Sequence, residues 1–76
     1  MLPAQCRAAR GLISWDQTQL AEASGVSRNT IIDFESERRE PRRASVIALK
    51  VCLEAAGIIF LPENGEGPGV RLKKDA

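Results

Sequence analysis

The apolar positions follow a helical period as far as Ala56 and an extended one after Gly57. Leu2, Cys6, Ala9 and Ile13 fall four, three and four apart, one face of an amphipathic first helix. Pro3 suits its first turn, Gly11 is expected in its fraying end, and Ile13, Ser14 and Trp15 in a short connection, with Trp15 packed over a helix end. Asp16 is a good N-cap, and Gln19 three residues on completes a capping box. In the helix that follows, Leu20 and Ala23 form the expected apolar stripe, and small Ala21 lets a partner helix approach. Gly25 ends it, since glycine enters the left-handed conformation at little cost. Val26 plugs the turn and Ser27 caps the third helix. There Thr30 or Ile31 and Phe34 point inward, while Arg28, Asn29 and Asp33 share a polar face.

After Glu35 the run S-E-R-R-E-P-R-R reads as a charged loop. A last helix is expected from about Arg43 to Ala56, with Val46, Leu49, Cys52 or Leu53 and Ala56 inward and Gly57 stopping it. Ile47 and Val51 lie off that stripe. Ile58 to Leu61 then reads as a strand, Pro62 to Gly69 as a loop and Val70 to Lys73 as a second strand. The expected architecture is all-α, four helices with a short C-terminal β-hairpin. Residues 1–57 form the helical domain and 58–76 a hairpin tail.

Composition narrows the classes. A chain of 76 residues allows one small domain with a thin core. A net charge of +1 limits any nucleic-acid footprint to a local patch. No apolar run approaches the about 20 residues that cross a bilayer, and no basic-then-apolar signal opens the chain. A cytoplasmic protein with no membrane contact is the simplest expectation. Cys6 and Cys52 sit at apolar-stripe positions and read as reduced, buried thiols. There is no histidine and no C-x-x-C, so neither a metal nor another cofactor is expected. An enzyme finds no support. Paired carboxylates at matched spacings are absent, and Gly65, Gly67 and Gly69 lie between candidate strands rather than before a helix.

Two helices with a small-residue contact and a glycine-bearing turn describe a helix-turn-helix. The stretch resembles the DNA-binding unit of the Cro/C1-type (XRE-like) repressor family, with its lambda-repressor-like fold. Gln17, Ala21, Gly25, Ile31, Phe34 and Glu35 carry the likeness, with Arg10 in front, the run to Pro41 behind and an A-L-x-x-x-L-like spacing in the last helix. It covers roughly residues 3 to 56. Asp16 departs from it, standing where the family often has Ser or Thr.

The resemblance implies double-stranded DNA as the partner. The helix after Ser27 would enter the major groove, with Arg28, Asn29, Thr30 and Asp33 at base edges. Gln17, Ser27, Arg38, Arg39, Arg42 and Arg43 would contact phosphates, helped by Ser45 and the start of the last helix. Arg10 has two readings, a phosphate contact or, as in the family, a pair with Glu35. An exposed pair would contribute only about 0–1 kcal/mol. Ile47, Val51, Ile58, Ile59, Phe60 and Leu61 would form a homodimer interface, because an apolar strand on a helical domain wants cover on its second face. Two functions remain open: a sequence-specific regulator, expected to be a dimeric repressor, and an antitoxin-type module that binds a toxin partner and controls its own operon.

Overall fold

The structure, a computed structural model, describes residues 1–74. The last two residues of the expected 58–76 segment lie outside the described residues. The elements are α1 (Pro3–Ile13), α2 (Gln17–Ser24), α3 (Arg28–Glu35), α4 (Arg43–Ala55), β1 (Ile58–Leu61) and β2 (Gly69–Leu72). No described helix is long and apolar enough to cross a membrane. The expected four helices and hairpin are therefore present.

Local chemistry explains most boundaries. The Asp16 carboxylate accepts from Gln19 N at 2.7 Å while the Gln19 side chain accepts from Asp16 N at 2.8 Å, the reciprocal capping box. Gly25 closes α2 in the left-handed conformation, φ 76°, and its N–H donates to the Ala21 carbonyl. Ser27 Oγ accepts from Thr30 N at 3.1 Å and starts α3. Gly57 at φ 106° turns the chain from α4 into β1.

Several details differ from the sequence reading. Leu2 is not on the buried stripe of α1. Pro3 begins the helix, so Leu2 is its extended, exposed cap, with its N–H held by Gln5 Oε1 at 2.8 Å. The helix also runs through Gly11 to Ile13, and Ser14 provides the left-handed end. Ala23 is exposed, because α2 turns Leu20, with the half-buried Gln17, Ala21 and Ser24, toward its neighbours. β2 begins and ends one residue earlier than expected.

The core gathers Cys6 and Ala9 of α1, Leu20, Val26, Ile31 and Phe34 of the helix-turn-helix, Leu49 and Leu53 of α4, and Ile58 of β1. Both cysteines are free; Cys6 is buried and Cys52 half-buried. Burial pushes both thiols up from their ordinary range, and the Glu35 carboxylate beside Cys6 adds to the shift there. β1 and β2 pair antiparallel, Ile58 with Leu72 and Leu61 with Gly69. Side chains alternate along β1, so Ile58 fills the core while Ile59 is 40% exposed. Gln5 Nε2 holds the loop end of the hairpin to α1, donating to Gly69 O at 3.0 Å and Leu61 O at 3.4 Å.

The end of α3 is a Schellman motif: Arg38 N donates to Asp33 O and Glu37 N to Phe34 O. The residue it places in the left-handed conformation is Glu37, φ 60°, where glycine is usual. Glu37→Gly is therefore expected to stabilise the fold. The left-handed penalty, less the entropy cost of glycine, leaves about 0.5–1 kcal/mol. Chemical denaturation checks it, and an unchanged or lower midpoint would count against the strain.

Candidate nucleic-acid interface

The amino-terminal turn of α3 presents Arg28 and Asn29 to solvent. Thr30 is half-buried, and its hydroxyl lies 2.8 Å from Ser27 Oγ, so the cap residue and Thr30 hold each other. Asp33 is half-buried one turn further on. The connection to α4 carries Arg38, Arg39, Arg42 and Arg43, all exposed. The one ion pair among the described residues is Arg10 with Glu35. Among the described residues, these loop guanidiniums and that of Arg28 therefore have no counter-charge at contact distance.

An open hollow of about 500 Å³ runs between α3 and this connection. It brings Asn29, Thr30 and Asp33 together with Arg39, Arg42 and Ser45, the expected base-reading side of α3 facing part of the expected phosphate cluster. Glu40, an acidic member of the charged loop, also lines it. Arg28, Arg38 and Arg43 lie outside this lining. The first turn of α4 is open: Ser45 and Val46 donate to the Arg42 carbonyl, and Arg42 makes no side-chain cap. Free N–H groups at a helix start suit an anion.

Behind this surface, Glu35 ties three helices together. Its side chain is only 3% exposed and Arg10's 18%. Arg10 Nε reaches Glu35 Oε2 at 2.8 Å and Nη2 reaches Oε1 at 2.7 Å, a two-pronged pair. Arg10 Nη1 also donates to the Trp15 carbonyl at 3.0 Å. The exposed pair weighed from sequence is thus a buried one. Gln17, expected at a phosphate, turns its amide inward, with Nε2 donating to Glu35 Oε1 at 3.0 Å. Arg7, which sequence reasoning missed, donates from Nη1 to the Glu35 carbonyl. Its spacing of three from Arg10 was the available signal. Burial alone would raise the Glu35 carboxyl, but hydrogen bonds from Arg10, Cys6 and Gln17 outweigh it and hold the group below its ordinary value.

The apolar surface expected for a second subunit is dispersed. Ile47 is 51% and Val51 58% exposed, four apart on the outer face of α4. Phe60 and Leu61 are half-buried, with Lys50 Nζ 5.8 Å from the Phe60 ring centroid. Ile58 differs from the expectation. At 3% exposure its side chain fills the core of its own chain and offers no apolar surface to a partner.

The family model of the helix-turn-helix matches residues 7–49, more than half of the chain. No curated protein matches it. The matched span runs from Arg7 to Leu49 and leaves the hairpin outside.

Proposed function

The chain belongs to the Cro/C1-type (XRE-like) helix-turn-helix family of DNA-binding regulators, and from that premise we propose that it is a repressor that binds operator DNA as a dimer. The observation that carries the reading is the exposed, uncompensated group of Arg28 and Asn29 at the start of α3, beside the arginines of the following connection. Arg28 presents a donor fork suited to guanine, and Asn29 a donor and acceptor suited to adenine. Thr30 touches a thymine methyl or a phosphate, and Asp33 orients Arg28 or Asn29. Ser27, Arg38, Arg39, Arg42 and Arg43 bind phosphates and set the register without reading sequence. Gln17 joins them through the part of its amide that Glu35 leaves free.

Dimerisation rests on the apolar groups that α4 and the hairpin leave exposed or half-buried. Ile47 and Val51, with Ile59, Phe60 and Leu61 of the hairpin, would meet their copies across a two-fold axis. Such an axis presents two α3 helices to half-sites about 34 Å apart, one turn of duplex. In this division of labour residues 1–57 read DNA and the hairpin segment joins the subunits.

Selection of bound duplexes from a random pool tests the reading, because a symmetric, reproducible site requires both specificity and a dimer. On the selected site, Arg28→Ala should cost about 1–3 kcal/mol and relax preference at one position. An equal loss on every sequence would reassign Arg28 to a phosphate.

A further inference from the structure

The last four carbonyls of α3 have no partner within the helix. The chain's own backbone satisfies three of them. Ile32 O accepts from Ser36 N at 3.0 Å, Asp33 O from Arg38 N at 3.0 Å, and Phe34 O from Glu37 N at 3.1 Å. Glu35 O accepts no backbone N–H among the described residues; its partner is the guanidinium of Arg7, reaching across from α1. A cation at this end also complements the helix dipole. Arg10, one turn along α1, grips the carboxylate of the same residue. Glu35 is thus held by its main chain and by its side chain from a single neighbouring helix.

We propose that Arg7 is a positioning residue for base reading: its bond to the Glu35 carbonyl fixes the tilt and depth of α3 in the major groove. The carboxylate pair gives when α3 shifts, because Arg10 and Glu35 can both change rotamer; the bond to the main chain has a rotatable partner only on the Arg7 side and follows less of the motion. Leverage makes the difference felt. Arg28 lies seven residues from Glu35, so a swing of about 10° at the held end moves it by about 2 Å over the roughly 10 Å between them. Two-pronged contacts to a base edge do not survive such a displacement. The inference rests on the DNA-binding reading above and goes beyond it, since Arg7 itself touches no base.

The test compares wild type with Arg7→Met, Arg7→Gln and Arg7→Lys on the pool-selected duplex and on a scrambled one, over a range of salt, well below the melting temperature. Arg7→Met should weaken binding to the selected duplex about tenfold, the scale of one mismatched base pair. Affinity for the scrambled duplex and the slope against salt should stay as in wild type. Arg7→Lys, which keeps a charged donor, should recover most of the loss, with Arg7→Gln between. Arg7→Gln also preserves the comparison if Arg7→Met does not fold. An equal loss on both duplexes, with the salt slope shallower by about 0.9, would make Arg7 a phosphate contact and overturn the proposal. A lower melting temperature with unchanged discrimination would overturn it as well. Wild type that fails to discriminate would overturn both readings, whereas discriminating wild type with unaltered variants overturns this one alone.

Discussion

Arg10→Met is expected to lower the stability of the fold by about 3–5 kcal/mol, because it leaves a buried carboxylate without its main partner. The loss is large for this chain: at 0.05–0.15 kcal/mol per residue, a domain of this size has about 4–11 kcal/mol in all. Gln17 and Cys6 remain near Glu35 but carry no compensating charge, and the remaining guanidinium, that of Arg7, is bonded to the main-chain carbonyl of Glu35 and not to its carboxylate. The effect has a pH signature that differs between the two proteins. In wild type the Glu35 carboxyl titrates below its ordinary value of 4.5, so its contribution is complete above that value and fades as pH falls through the depressed one. In Arg10→Met, burial is no longer opposed by this guanidinium, and the carboxyl titrates above its wild-type value. The variant therefore has less carboxylate stabilisation to lose as pH falls. The gap between the two proteins should therefore narrow below about pH 4.5. Arg10→Met combined with Glu35→Leu should recover much of the loss, since an apolar pair of similar volume can replace a buried ion pair. Urea titrations across pH measure all three. A penalty under about 1 kcal/mol that does not vary with pH would mean that the pair behaves as a solvated one.

That pair marks how far the sequence could be read. Periodicity and cap chemistry located all four helices, since Asp16 with Gln19, Ser27 and Gly25 act on bonds no more than four residues long. The Arg10–Glu35 contact came from the family likeness, and its burial from neither source. Burial depends on Arg7 of α1, Trp15 of the connection and Gln17 of α2 converging on Glu35 of α3, which the spacing along any one helix does not encode. Ala23 was misassigned for a related reason: an eight-residue helix has two turns, and its neighbours decide which face is covered. At the candidate interface, the exposed residues that open α3 were legible because a helix start faces outward wherever its cap does. The hollow that sets Glu40 and Ser45 opposite Asn29 was not, because it forms only when the connection folds back along α3.

The hairpin poses the second large effect, through two adjacent isoleucines with opposite expectations. Ile58 lies in the core with Leu49 and Leu53, and Ile58→Ala should cost about 2–5 kcal/mol, the loss of a buried side chain plus the cavity it leaves. The result bears on the division at Gly57. A hairpin that only joins subunits contributes nothing to the helical body, whereas a docked one takes part in its unfolding. Deleting everything after Gly57 is for that reason a poor probe of dimerisation, since it removes a core residue together with the surface under test. Ile59 separates the two roles. It points away from the core and is 40% exposed, so Ile59→Lys should change the stability of a monomer by less than about 0.5 kcal/mol. In a dimer that covers Ile59 the same change buries an unpaired ammonium, and the subunits should separate. Light scattering over a concentration series, on wild type and on Ile59→Lys, reads the second effect, and denaturation of Ile58→Ala the first. A cost below 1 kcal/mol at Ile58 would detach the hairpin from the core. A dimer that tolerates Ile59→Lys would move the interface away from Ile59, and a wild type monomeric at high concentration would remove the hairpin from assembly altogether.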